Sequence, residues 1–249
     1  MLYFLEDSLY LVIPAYNEEA NIRSVVKEWM PVVLRHPGGG ASRCVVIDDG
    51  SKDGTYTLLK ELEKEYPGLV VLTKPNGGHG GTVLYGYRYA LEQGASYVFQ
   101  TDSDGQTRPE EFEEFWEKRK EYPMVIGYRG HRKDGFGRIV TTRVLRLVVW
   151  LCFHVWIKDA NTPYRLMEAN VLSEQLPLIP DNFFLSNVLL SVIYAKKALG
   201  MKFLPITFRP RQGGKNSINM PRIFRIGKQS LKDFRELNRM LDEELRKGR

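Results

Sequence analysis

The sequence is poor in the features that mark several protein classes. It has two cysteines in 249 residues. Cys44 lies in the apolar run CVVI and Cys152 in VVWLCFHVWI, with no CxxC spacing and no disulfide framework, so both read as small buried hydrophobes in a reduced, cytoplasmic setting. The N-terminal MLYFLEDSLY has neither a basic n-region nor a long apolar h-region, and no signal peptide is expected. The longest apolar stretch, Leu147 to Ile157, falls short of the roughly 20 residues of a spanning helix. No GxxxxGK[ST] occurs, and no GxGxxG follows the first apolar run, which speaks against a P-loop NTPase and a Rossmann dehydrogenase. Repeats and low-complexity tracts are absent.

What is present is an ordinary globular composition, 43% hydrophobic and 27% charged, with a formal net charge of +6. The basic excess suits an anionic partner such as phosphates, nucleic acid or an acidic membrane surface, or simply a well-solvated surface. In the first half, strand-like runs alternate with helix-like segments. The strands are Tyr10–Pro14, Cys44–Ile47, Leu69–Thr73, Tyr97–Gln100 and Met124–Tyr128; the helices are Glu18–Leu34, Tyr56–Tyr66, Thr82–Gln93 and Pro109–Tyr122. Such crossovers imply an α/β fold, a mostly parallel central sheet with helices on both faces, and ligands outside the carboxyl ends of the strands. The second half breaks the rhythm: a long apolar helix over Ile139–Ile157, then DANTPYRLM, a helix from about Phe184 to Leu199, a strand at Phe203–Phe208, and a basic loop RPRQGGKNSIN. From Pro221 an amphipathic helix is expected, with Phe224, Leu231, Phe234, Leu237, Leu241 and Leu245 on one side. Its nine basic and five acidic residues hold most of the net charge. Two placements fit it equally: flat on an anionic membrane, or packed on its own domain with the charged face in water.

Three acidic clusters fall at strand ends: Asn17-Glu18-Glu19, Asp48-Asp49 and Asp102-Ser103-Asp104. Mg²⁺ and Mn²⁺ take hard oxygens, often one or two carboxylates plus substrate phosphates, which Asp102 and Asp104 could supply, with Gln106 adding an oxygen. Alone, Asp-x-Asp is more often a solvated turn; its place after the fourth strand is what singles it out. Asp49 could accept from a base N–H beside a flat wall of Pro14 and Tyr16, and Asn17 and Asp53 fit helix caps. The Gly-rich NGGHGG opens a helix, where backbone N–H groups suit an anion; His79 within it could touch a phosphate or be an ordinary loop histidine. Arg129, Arg132, Lys133, Arg138, Arg143, Arg165, Arg209, Arg211 and Lys215 cluster in the later loops as phosphate partners or solvated charge. His154 and Trp150 read as core or interface residues.

Taken in order, VIPAYNEE, VIDDGSKDGT, NGGHGG, TDSDGQ and GYRGHR resemble the family 2 glycosyltransferases of the GT-A fold, and the likeness runs through DANTPYRLM and RPRQGGKNSIN to about residue 220. Within the family the chain is most similar to the dolichol-phosphate mannose synthase or polyprenyl-phosphate type. The resemblance implies a GT-A domain over 1–220, with a nucleotide-sugar half (1–128) and an acceptor half (129–220), followed by the helix of 221–249. It implies that Pro14, Tyr16, Glu18, Ile47 and Asp49 hold the nucleotide. Asp102, Ser103 and Asp104 would meet the diphosphate, with Asp104 and Gln106 nearest a Mg²⁺ or Mn²⁺ ion. Arg129 matches the basic residue after the fifth strand, Asp159 and Arg165 match the D-x-x-x-x-[FY]-R segment beside the acceptor, and Arg211, Lys215 and Ser217 match the loop that closes on donor phosphates.

The implied partners are a UDP- or GDP-linked sugar and a polyprenyl phosphate or other lipid-linked acceptor. Any membrane contact would be peripheral, on the cytoplasmic face, and nucleic acid is not among the partners. Many members of the family carry an acid in the helix after DANTPYRLM; here DNFFLSNVLL places Ser186-Asn187 there and Asp181 upstream. A hydroxyl acceptor needs its proton removed, whereas a phosphate with a second pKa near ~6 is already largely dianionic. The alternatives are transfer to a saccharide hydroxyl with Asp159 or Asp181 as base, and a catalytically silent sugar-nucleotide-binding protein, against which intact Asp49, Asp102 and Asp104 speak. A processive polysaccharide synthase lacks its Q-x-x-R-W, and a nucleotidylyltransferase lacks its GxGTR loop. Oligomeric state is left open.

Overall fold

Strands β1 (Leu9–Ala15), β2 (Arg43–Asp48), β3 (Leu69–Thr73) and β4 (Tyr97–Gln100) run parallel, side by side, in a computed structural model that describes residues 6–129, 136–181, 183–210, 233–244 and 246. Their side chains alternate between two cores. Tyr10 and Val12 face one side of the sheet, and Leu9, Leu11 and Ile13 face the other. A strand covered on both faces has no polar side to show, so it reads as an unbroken apolar run.

The full sheet has seven strands in the order β3-β2-β1-β4-β6-β5-β7, completed by β5 (Met124–Arg129), β6 (Arg165–Glu168) and β7 (Lys202–Ile206). Only β6 is antiparallel to its neighbours, while β7 runs parallel to β5. The mostly parallel sheet with helices on both faces is therefore observed. Strand β6 and the helix after it, α6 (Ala169–Gln175), were not expected. A four-residue strand carries too little periodicity to be told from loop, and its pairing with β4 and β5 is a tertiary event.

Helices α1 (Ile22–Arg35), α2 (Thr55–Glu65) and α4 (Phe112–Glu117) cover one face, burying Trp29, Leu59 and Phe115. The other face carries α3 (Gly78–Glu92), α5 (Phe136–Phe153), α7 (Ser186–Lys196) and a helix over residues 233–244. Helix α5 stops four residues before the expected Ile157, because His154 takes a left-handed backbone (φ 56°) that a continuing helix cannot contain. The tail helix is docked on its own domain. Phe234 packs on Phe153 and Phe183 at ring distances of 5.1 and 5.9 Å, Leu237 and Leu241 are buried, and Lys196 Nζ donates to Asp242 at 2.6 Å. Phe224, Leu231 and Leu245 lie outside the described residues. Among the described residues no helix is long and apolar enough to cross a membrane.

Candidate active site

Parallel strands bring the ends of β1, β2, β4 and β5 to one edge, and the antiparallel β6 begins at that same edge. Here the PAYNEE and DDGSKDGT loops are laced together. Asn17 N donates to Ser51 Oγ (2.9 Å) and Asn17 Oδ1 accepts from Lys52 N (2.8 Å); Glu18 N donates to Thr55 Oγ1 (2.8 Å) and Glu19 Oε2 accepts from Gly54 N (3.1 Å). Burial works against a charged Asp53, but hydrogen bonds from the Thr55 hydroxyl and N–H and from Glu19 N–H outweigh it and hold the carboxyl below its usual pKa. The result is a fixed wall on which Tyr16 is exposed and Pro14 is buried. Glu18 is buried and its carboxylate accepts from Asn21 Nδ2 at 2.6 Å. The Ile47 side chain points away from this edge: it is fully buried, and a Cβ added at Gly86 of α3 would lie 2.8 Å from its Cδ1. Strand alternation sends this side chain into the core, so only the backbone of Ile47 is left to meet a nucleotide.

Asp49 has more partners than sequence reasoning gave it. Its Oδ1 accepts from Gly77 N (2.8 Å) and from Lys74 Nζ, and its Oδ2 accepts from Gly78 N (2.9 Å). Gly78 is the first residue of α3, so four of the six residues of NGGHGG are already helix, which starts four residues earlier than the apolar periodicity suggested. The carboxylate thus caps the positive end of α3. Glycine is required within that turn at Gly80, where a Cβ would lie 2.1 Å from the carbonyl oxygen of Phe183, on the chain leading into α7.

The TDSDGQ turn follows β4. Asp102 is half-buried, and its Oδ1 lies 3.1 Å from His79 Nε2, on the first turn of α3. Partial burial opposes charge on His79, but the charge of Asp102 and its hydrogen bond prevail and raise the imidazole pKa. Ser103 is buried, Asp104 Oδ1 accepts from Gln106 N (3.0 Å), and Gly105 sits at φ 70° to close the turn. The Gln106 side-chain amide donates to Arg209 O (3.1 Å) while Arg209 N donates to Gln106 O (2.8 Å). Among the described residues no group of three or more His, Cys, Asp or Glu could hold a metal. Two half-buried carboxylates on a tight turn nevertheless fit a hard divalent ion that completes its shell with substrate phosphate and water.

Arg165 is used differently from the phosphate contact that was expected of it. It is fully buried, and its guanidinium donates to the carbonyls of Thr162 (2.6 and 3.0 Å), Ala160 (3.1 Å) and Asn187 (3.0 Å). It therefore pins the segment before β6 onto α7. Burial lowers its pKa, against the pull of Tyr87, Asp159 and Asp102. Asp159 is half-buried in a shallow pocket with Arg146 and Lys158, and Arg129 stacks over the Phe208 ring at 3.9 Å. Asp181 is exposed and paired with Arg88 at 2.5 Å. Arg211, Lys215 and Ser217, and the loop with Arg132 and Lys133, lie outside the described residues. Sequence reasoning missed Lys74 and left His79 open; the one available signal was a Gly-rich turn with Lys74 just before it and His79 within it.

The profile described as glycosyl transferase family 2 matches residues 10–185, well over half of the chain. The chain belongs to glycosyl transferase family 2. This family 2 glycosyl transferase is 30% identical over 193 residues to a UDP-N-acetylglucosamine–dolichyl-phosphate N-acetylglucosaminyltransferase of Methanococcus voltae, covering 68% of this chain and 73% of that one. It is 26% identical over 206 residues to an undecaprenyl-phosphate 4-deoxy-4-formamido-L-arabinose transferase of Pseudomonas aeruginosa, covering 78% of this chain but only 59% of the relative. Its fold is shared with glucosyl-3-phosphoglycerate synthase from Mycobacterium tuberculosis, solved with Mn²⁺, UDP-glucose and phosphoglyceric acid: TM-score 0.65 at 18% identity, covering 93% of this chain and 80% of that one. The fold is thus GT-A.

Proposed function

We propose that this glycosyltransferase moves a hexose from a UDP- or GDP-linked sugar to a polyprenyl phosphate, with inversion at the anomeric carbon. The observation that carries the reading is at the acceptor side. At the first turn of α7, where the resemblance expects an acidic base, this chain has Ser186 and Asn187, both buried, and Asp181 is engaged with Arg88. An acceptor that brings its own anionic oxygen needs no such base. The two curated relatives described above, each named for a polyprenyl phosphate acceptor, support it.

In this mechanism Tyr16 and the laced loops hold the nucleotide, and Asp49 fixes the start of α3, which carries His79 to the side of Asp102 where the diphosphate is bound. Asp102 and Asp104, with Gln106, are the residues that would hold Mg²⁺ or Mn²⁺; such an ion, when bound, supplies positive charge to the leaving diphosphate. An oxygen of the acceptor phosphate attacks the anomeric carbon as the bond to the diphosphate oxygen breaks, and the nucleoside diphosphate leaves. No proton moves. Arg129, and Arg211, Lys215 and Ser217 beyond the anchored Arg209, are assigned to donor and acceptor phosphates, and Arg165 to holding Asp159 and α7 in place. A cytoplasmic setting belongs to the same reading.

The test is purified protein with Mn²⁺ or Mg²⁺, a panel of nucleotide sugars and a short-chain polyprenyl phosphate. The expected product is an inverted lipid-linked monosaccharide, and Asp104→Ala should reduce its rate by at least about 100-fold. Transfer to glycan hydroxyls alone would overturn the phosphate acceptor and return Asp159 as the candidate base.

A further inference from the structure

We propose that the outward face of α5 docks this protein on an anionic phospholipid bilayer. The proposal rests on the polyprenyl-phosphate reading for its purpose and on the helix alone for its observations. Helix α5 is apolar on opposite sides. Val149 and Phe153 are buried in the core, whereas Val144 (53%), Leu147 (52%), Trp150 (45%) and Leu151 (57%) are exposed. At 100° per residue these four fall on one arc of the helix wheel, spread over about 10 Å of helix length. Trp156, just past the helix end, is the most exposed large hydrophobic among the described residues at 68%. A helix apolar all round is ordinarily buried all round, and contiguous exposed apolar surface marks an interaction site.

The charge around this face selects the occupant. From Gly135 to Lys158 the sequence holds Arg138, Arg143, Arg146 and Lys158 and no aspartate or glutamate. Arg143 is exposed on the helix, and Arg146 donates to Lys158 O (2.5 Å) with its guanidinium 5.5 Å from the Trp156 ring. Leucine and tryptophan flanked by cations of one sign match the interface of an anionic bilayer, where acyl chains take the apolar groups, indole rings sit at headgroup level and lipid phosphates meet the cations. A second copy of the same face would set like charges against each other, which disfavours a dimer. Of the C-terminal tail, the described helix over residues 233–244 carries more acids than bases, and its Phe234, Leu237 and Leu241 are already buried on this chain. The bilayer face also adjoins the pocket that holds Asp159, since Arg146 and Lys158 belong to both, so a lipid-borne phosphate would approach from the docked side.

The experiment is vesicle flotation at low and high salt, with phosphatidylcholine alone and with about a third phosphatidylglycerol. We expect at least about tenfold more bound protein on the anionic vesicles, lost at high salt, with a blue shift of tryptophan emission. The double variant Leu147→Ser/Leu151→Ser and the charge reversal Arg143→Glu should each lose about tenfold in binding, with unchanged melting temperature and unchanged nucleotide affinity. Equal flotation of wild type and double variant overturns the proposal. So does a wild-type dimer that the double variant dissociates, which would make the face a contact between two copies. Docking that persists while short-chain polyprenyl phosphate is not glycosylated would sink the acceptor assignment and leave the membrane face standing.

Discussion

Arg165 stands directly across from Gln100 in the antiparallel pairing of β6 with β4, two residues ahead of Asp102. The cation is brought to the catalytic edge but held beneath it, its hydrogen bonds given to backbone carbonyls. Arg165→Met should therefore act first on stability. Orphaning two or three buried acceptors at about 1–3 kcal/mol each predicts a loss of at least about 2 kcal/mol, read as a lower urea midpoint. A variant with wild-type stability and weakened acceptor binding would instead make Arg165 a direct phosphate ligand.

Asp49 offers a second separation of roles. If it caps α3 through Gly77 and Gly78, Asp49→Asn removes a charge-assisted acceptor and should cost about 1–3 kcal/mol. A residue that only reads the base would weaken nucleotide binding and leave the unfolding midpoint unmoved. Urea titration and calorimetry with the nucleoside diphosphate distinguish the two.

Gly80→Ala tests the contact between α3 and the entry to α7. A methyl group 2.1 Å from the Phe183 carbonyl oxygen forces backbone apart. Overpacking of this kind costs about 1–3 kcal/mol. Because His79 rides on the same turn, donor affinity should fall as well; an unchanged melting temperature would refute the close approach.

The cysteines give a prediction about packing. Burial pushes the Cys44 thiol up to about 12, and it also raises that of the half-buried Cys152. At pH 8 a thiol reagent should modify one cysteine slowly, and the second only after denaturation. Two fast equivalents would show that the β2 core opens readily.

Much of the fold was legible because the parallel strands are buried on both faces. YLVIP and CVVI announce themselves as apolar runs, and a crossover of fixed hand then brings PAYNEE, DDGSKDGT and TDSDGQ to one edge. The helix spacing of α1 was equally plain, since Ile22, Val25, Val26, Trp29 and Val33 all reach the core. The start of α3 was not, because glycines carry no periodicity: Gly78 and Gly80 are helical here through the Asp49 cap and the contact with Phe183.

By itself, then, the sequence determined the alternating α/β architecture, the edge at which the acidic clusters meet and the family, all encoded in local runs and ordered motifs. Tertiary structure alone decided how the side chains are used there. Insertion of the short β6 between β4 and β5 buries Arg165, and Asp49 turns to a helix end that no local spacing reveals. The same packing leaves one side of an apolar helix facing outward while the helix over residues 233–244 covers its own domain. Each outcome depends on which neighbour arrives across the sheet, and hydrogen bonds and burial are settled between elements, not within them.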